Sequence, residues 1–500
     1  MKKIYLIWMT IALCGCNEWL DVNDSPNRPT DVSADLILPS AENFIATRLG
    51  GTIFNYCGFF AQYWDQGPVA NQYNTEAEYR FGISFFDNDY NSLYAGALQD
   101  LESVRSKALE TDDAGNYFAA TVLRAYTFQI IVDMLDYAPY SEALKGSEIP
   151  MPKWDSGESI YAGILAEIEE AQAKLTSTST IPSDLLLNGN LSQWIGFANA
   201  LKLKLYMRAS YAQDNSSKIM ALINANNFFQ GDIAFNAYAD ESGKRNPWYE
   251  TNTIGLGTVN NIAAYPIITY LVSTNDPRLP KLFNQATASK EYEGAIPGNK
   301  TAIATAQKKN EDYSWPVIFV KNATNAVRPV YFYSQSELQF FIAEAKLRFA
   351  NDDTGARVAY ENAIDASFSM YGLTDGSVLY GSGKSCEWVT SQSLEEKLEK
   401  IMMQKWVALC MVNHYESWTE IRRTGYPKLS RETGSAILNN PSVYMPKGQL
   451  ISPVINELGF GNLVQRLPYP QAASNYNDNT PSQDPIEIKK TSVWWDKRSN

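Results

Sequence analysis

A repeating helical period constrains this chain most. In "YSQSELQFFIAEAKLRFA" (333–350), Leu338, Phe341, Ile342, Ala345 and Phe349 recur at i, i+3, i+4, i+7 and i+11, one face of an α-helix. Ser334 followed three residues on by Glu337 predicts a capping-box start. After the turn "NDDTG", Ala356, Ala359, Tyr360, Ala363, Ile364 and Phe368 mark a second amphipathic helix. Two helices and a short turn in roughly 35 residues is the size of a tetratricopeptide unit.

The pattern returns along the chain. One pair spans Asn91–Leu109 and Gly115–Leu135, split by "ETDDA"; another spans Glu158–Leu175 and Ser192–Tyr211; a last long helix, Leu394–Val412, continues through "NHYESWTEIRRTG". Small residues such as Ala119, Ala120, Ala166, Ala198, Ala200, Ala343 and Ala345 let helices approach closely. Stacked pairs of this kind bury a continuous core and present a broad surface. The fold class expected is mainly α, with tetratricopeptide-like helical pairs and long irregular loops. Those loops, about 50–90, 214–330 and 425–500, are rich in Gly, Pro, Asn, Tyr and Trp. Loops this long are usually functional or disordered, and the aromatics argue against disorder.

The N-terminus speaks for location. Lys2 and Lys3 precede an apolar run from Ile4 to Leu13 broken only by Thr10. A short basic region before about 7–15 apolar residues reads as a secretory signal, and it is too short to span a bilayer. Leu13-Cys14-Gly15-Cys16 resembles a bacterial lipobox, so residues 1–15 are read as a lipoprotein signal peptide and Cys16 as the acylated first mature residue. The alternatives are an ordinary signal peptide or a buried N-terminal strand. Glu18, Asp21 and Asp24 resemble short acidic signals that route lipoproteins to the outer face of the outer membrane. The other cysteines, Cys57, Cys386 and Cys410, are far apart and suggest neither a disulfide framework nor a zinc site.

The formal charge of −13 argues against nucleic acid as partner. The single histidine, His414, excludes a multi-histidine metal site and reads as a satisfied polar residue on a helix. No nucleophile elbow, P-loop or dinucleotide fingerprint stands in a supporting context. Asp112-Asp113 and Asp352-Asp353 fall in turns, where they cap the following helix. Arg422-Arg423 offer an anion site or, preferred, partners for helix acids and terminal carbonyls around Glu416 and Glu420. No catalysis, no cofactor and no metal is the reading.

Seven segments in order resemble the SusD/RagB family of outer-membrane nutrient-binding lipoproteins, in the branch with an N-terminal Asn/Asp-Pro-Asn segment. They are "DVNDSPNRPT" (21–30), "IIVDMLDYAPYSEAL" (130–144), "NLSQWIGFANALKLKLYMRAS" (190–210), "STNDPRL" (273–279), "ELQFFIAEA" (337–345), "QKWVALCMVNHYESWTEIRRTGYP" (404–427) and "QRLPYPQAASNYN" (465–477). Ala473 departs from the acidic residue often found there, which touches a local contact only. The resemblance implies one α-helical domain over 16–500 with a loop-rich ligand-binding lobe. It further implies a surface-exposed, lipid-anchored protein that captures oligosaccharide and delivers it to a SusC-like TonB-dependent transporter. A peptide ligand in the same role, or a surface hydrolase, are the alternatives.

A carbohydrate site needs exposed ring faces for stacking and short amides or carboxylates for hydroxyls. Three loop segments offer both. The first, 60–80, has Tyr63, Trp64, Asp65, Asn71, Gln72 and Tyr73; the second, 244–252, has Arg245, Asn246, Trp248 and Tyr249; the third, 310–316, has Asp312, Tyr313 and Trp315. The competing reading is that these rings pin the loops onto the scaffold or face the transporter. Trp194 and Trp406 sit in helical core patterns and are set aside.

Overall fold

The computed structural model describes residues 33–300 and 308–498. The signal peptide, Cys16 and the acidic residues behind it lie outside the described residues. The architecture is mainly α, as the periodicity predicts. Gln335–Ala345 packs on Asp353–Met370, Gln99–Glu110 on Ala114–Leu135, and Ala114–Leu135 on Gly157–Ala173. Leu191–Ala209 joins this stack, and Thr52–Phe60 packs against His414–Thr424. The helix Ala114–Leu135 is the axis, with 21 of its residues buried from Gly115 to Leu135. That burial explains why it is apolar all round rather than on one stripe.

Turn chemistry sets the boundaries. Asp113 caps Ala114–Leu135 by accepting from the backbone N–H of Asn116 at 3.0 Å, and Asp352 caps Asp353–Met370 through Gly355 at 2.8 Å. Ser334 accepts from Glu337 N–H at 3.1 Å as expected. The reciprocal half of that capping box is absent, because the Glu337 carboxylate turns inward to Lys204 Nζ at 2.6 Å. The expected continuous helix through 394–424 is broken: Leu394–Leu409 ends, and His414–Thr424 restarts. Met411 takes a left-handed φ of 60°, its N–H donates to His414 Nε2 at 2.9 Å, and Asn413 caps the second helix through Glu416 N–H. His414 is buried and neutral, its pKa pulled down to about 3 by burial, and stacks on Phe54 at 3.7 Å.

Helices also meet through a buried ionic cluster. Arg208 Nη1 holds Asp133 at 2.5 Å and its Nη2 bonds Glu416, with Glu420 at 3.3 Å. Lys405 reaches Glu420 at 2.8 Å, and Arg423 forks onto Glu344 at 2.7 and 2.6 Å and onto Glu420. Arg423 therefore pairs with helix acids as its sequence neighbourhood suggests. Arg422 takes carbonyls instead of acids: it donates to the carbonyls of Asp133 and Gln465 and to Thr419.

A second buried acid ties the N-terminal helix Ala34–Leu49 to the 181–189 loop. Glu42 is fully buried, its Oε2 accepts from Leu185 N–H at 2.9 Å, and its Oε1 has no donor. Burial, and then the neighbouring Asp184 carboxylate, push its pKa well above the usual range. The folded state holds this proton more tightly than the unfolded chain does. Stability from the protonated form is thus complete below the unfolded value of about 4.3 and is lost as pH rises toward the folded value. Glu42→Gln is expected to lose less stability between pH 5 and pH 8 than the parent, by about 1 kcal/mol, in denaturant titrations at both pH values. An equal loss in both proteins removes Glu42 as the source.

Candidate functional site: a loop face held by one asparagine

The three sequence-predicted loops converge. Trp64–Gln66 pairs antiparallel with Asn261–Ala263, in register Trp64 to Ala263 and Gln66 to Asn261. Ala263 N–H donates to Ser314 O at 2.7 Å, which brings Trp315–Pro316 alongside, and that strand pairs with Phe283–Asn284. The 244–252 segment leads into the wide helical turn Tyr249–Leu256 directly before Asn261. Two short two-stranded sheets, side by side, thus gather segments more than 200 residues apart in sequence.

Asn55, on the helix Thr52–Phe60, fastens the first two and the strand from Asn261. Its carbonyl accepts from Trp64 Nε1 at 3.0 Å, and its Oδ1 accepts from Trp248 Nε1 and from Asn261 Nδ2, each at 3.0 Å. The Trp64 and Trp248 rings stack at 5.6 Å between centroids. Gly58 makes room for them: a Cβ there would lie 2.3 Å from the Trp64 ring. These two tryptophans are therefore pins, and the expectation of exposed ring faces is corrected for four residues. Tyr63, Trp64, Trp248 and Tyr249 are all buried. The Tyr63 hydroxyl is spent on Trp406 O and Ser417 Oγ.

The polar candidates divide the same way. Asp65 is buried, accepts from Gly298 N–H at 3.2 Å, and is pushed up to about 7 by burial. Asn246 is buried and structural: its Oδ1 accepts from Trp248 and Tyr249 N–H, and its Nδ2 donates to Arg328 O. Arg245 is engaged with Asp240 at 2.5 Å and Glu250 at 3.0 Å.

What remains on the surface is Asn71 and Gln72, exposed, with Tyr73, Tyr313 and Trp315 half-buried. Tyr73 is set by two bonds, its N–H to Gln66 Oε1 at 2.6 Å and its hydroxyl to Asn252 Oδ1 at 2.5 Å. Asn310 Nδ2 donates to Val259 O at 2.7 Å and Gly67 N–H to Asn260 O at 2.6 Å, closing the loops on each other. Sequence reading passed over Val69, Ile254 and Leu256, which are exposed apolar residues on these same loops, and Asn252, which orients Tyr73. Their exposure has no signature in a loop that lacks a period. The face as a whole presents half-covered rings, amides and small apolar side chains on a rigid base, the composition of a surface that binds a neutral polar ligand by stacking and hydrogen bonds.

A family profile described as starch-binding and associating with the outer membrane matches residues 26–447. The chain belongs to the SusD-like family. Solved SusD homologues share its fold. A chitin-binding homologue from Flavobacterium johnsoniae superposes with a TM-score of 0.73 at 20% identity, over 93% of this chain and 98% of that one. A SusD homologue from Bacteroides thetaiotaomicron gives 0.72 at 21% identity, covering 94% and 100%. One from Bacteroides vulgatus gives 0.69 at 22%, covering 92% and 98%. At the sequence level no curated protein matches. Membership of this SusD-like family agrees with the order of the seven segments and with the stacked helical pairs.

Proposed function

We propose that this SusD-like chain is a cell-surface nutrient-binding lipoprotein, anchored through an acylated Cys16. It captures oligosaccharide on the loop face and delivers it to a SusC-like TonB-dependent transporter. The observation that carries the reading is the convergence of the 66–73, 249–261 and 309–316 loops, with Asn55 tying Trp64, Trp248 and Asn261 together and Asn310 closing the third loop onto Val259. The starch-binding description of the family and the chitin-binding relative support a glycan as ligand. The role is binding without catalysis: Asp65 and His414, both displaced in pKa by burial, are sealed in the core.

Asn71, Tyr73 and Trp315 are the proposed contact residues, with Asn252 positioning Tyr73. The test uses the soluble form that begins after Cys16, titrated with starch and chitin oligosaccharides and, in parallel, a peptide library. Trp315→Ala and Tyr73→Ala are each expected to weaken glycan binding about tenfold or more, which is roughly 1.4 kcal/mol, with Asn71→Ala costing less. Full glycan affinity in the Trp315→Ala, Tyr73→Ala double variant would place the ligand elsewhere. Binding of peptides alone would replace glycan by peptide.

A further inference from the structure

A further segment, 293–298, runs beside the strands under the loops and reaches the third loop. Ala295 N–H donates to Ala263 O at 2.8 Å, and Tyr265 N–H donates to Ala295 O at 2.7 Å. Ser314 N–H donates to Glu293 O at 2.8 Å, and Glu293 N–H donates to Ser314 Oγ at 3.0 Å, so the segment holds the residue just before Trp315. Its other end is clamped from outside: Val454 N–H donates to Pro297 O at 2.9 Å and Ile455 N–H to Gly298 O at 3.2 Å. Gly298 takes a left-handed φ of 65°, and a Cβ there would lie 2.7 Å from Pro453 Cβ, which reserves the position for glycine.

Asp65 holds Gly298 from inside. It is 1% exposed, and its Oδ1 accepts from Gly298 N–H at 3.2 Å; among the described residues its Oδ2 has no donor in hydrogen-bond geometry. A half-satisfied carboxylate out of water is costly when charged. Burial raises the group to about 7, against the pull of the Gly298, Gln66 and Asn299 N–H groups, and Glu78 adds a smaller push. Facing it are Glu78 and Tyr79, in the turn after the helix Asn74–Ala77, and Tyr313 on the third loop. Burial chiefly raises both of these hydroxyls, and the Asp65 charge adds to it. Beyond Glu78 stand Arg80, bonded to it at 2.6 Å, then Lys300, and the Glu457–Lys489 pair at 2.5 Å. The partner strand sets Ile262 opposite Asp65 and brings no charge there.

We propose that Asp65 is a positioning residue of the loop face: it holds the 293–299 segment and, through it, the third loop, and its ionisation loosens that hold and lowers ligand affinity. The inference rests on the loop face being the ligand site. The folded arrangement keeps a proton that the unfolded chain gives up at about 3.9. The stability this contributes is complete below that value and is lost as pH rises to about 7. The loss falls on the structure around Gly298, where local opening lets water reach the charge. A ligand that needs the third loop in place is therefore held less tightly once Asp65 is ionised.

Maltoheptaose and chitohexaose are titrated into the soluble form beginning after Cys16, in a series from pH 5 to pH 8. Affinity for whichever binds is expected to fall about threefold or more across the series. Asp65→Asn, a neutral isostere, is expected to keep the pH 5 affinity throughout, and Glu78→Gln to move the midpoint of the fall to lower pH. Hydrogen exchange of the 293–299 amides, corrected for its intrinsic pH dependence, reads the same tie without ligand. Protection is expected to fall from pH 5 to pH 8 in the parent and to stay level in Asp65→Asn. Level protection in the parent overturns the proposal even if Asp65→Asn fails to fold, and so does an equal fall in parent and variant. If protection follows Asp65 while affinity stays level, Asp65 is structural and the positioning role is overturned. If neither saccharide binds while protection still follows Asp65, the loop-face reading fails and the tie itself stands.

Discussion

Arg208→Met is expected to destabilise the protein by about 3–5 kcal/mol, because it strips the cation from a site where three carboxylates are out of water. Asp133, Glu416 and Glu420 all bond this one guanidinium, and all of these side chains are buried. Methionine fills much of the volume, so the loss is electrostatic rather than a cavity effect. Glu420 makes the pH signature clear. Burial works to raise its pKa, yet Arg423, Lys405 and Arg208 together hold it well below the usual carboxylate range. Without Arg208, Glu420 takes up a proton more readily in the folded state. The destabilisation should therefore be larger at pH 8 than at pH 5, where protonation relieves part of the unbalanced charge. Denaturant titrations of parent and variant at the two pH values decide this. A loss that is the same at both would mean that packing, not charge, explains it.

Trp248→Ala should cost about 3–5 kcal/mol, the range for truncating a large buried aromatic. It removes the stack on Trp64, the edge contact with Phe319 at 5.6 Å, and the bond to Asn55 Oδ1. The same change should abolish ligand binding at the loop face, although Trp248 has no exposed ring surface. Trp248→Phe separates the two contributions. It keeps most of the stacking and loses only the N–H donor, and Asn55 Oδ1 still accepts from Asn261 Nδ2. Its cost should fall to about 1–2 kcal/mol, with ligand affinity largely retained. If Trp248→Ala bound glycan normally while being destabilised, the loops would not depend on this pin for their geometry.

Much of the scaffold was legible. The helical pairs, the aspartate caps at Asp113 and Asp352, and the core placement of Trp194 and Trp406 all follow from local period and turn chemistry. Two errors share a cause. Glu337 has the spacing of a capping box but answers Lys204, and the helix through 394–424 breaks because His414 and Asn413 satisfy a left-handed turn at Met411. For Glu337 a distant partner outweighs a local preference worth about 1 kcal/mol, and at Met411 the local bonds form because Phe54 fixes the His414 ring.

The loops failed differently. A tryptophan in a stretch rich in Gly, Pro and Asn has the same surroundings in sequence whether its ring faces a ligand or a core. Loop composition alone makes Trp64 and Trp248 candidates for ligand contact, whereas the fold buries both and bonds them to Asn55. Trp315 and Tyr73, of equal standing in the sequence, keep part of their surface open.

Residue order and spacing alone carry the stacked-helix class and the family membership marked by seven ordered segments. These rest on near-neighbour periodicity and residue type, which are local properties. Which rings stay open and which arginine forms ion pairs emerge only in the assembled fold. Those depend on contacts between residues hundreds of positions apart, and exposure is a property of the assembled surface rather than of any residue in it.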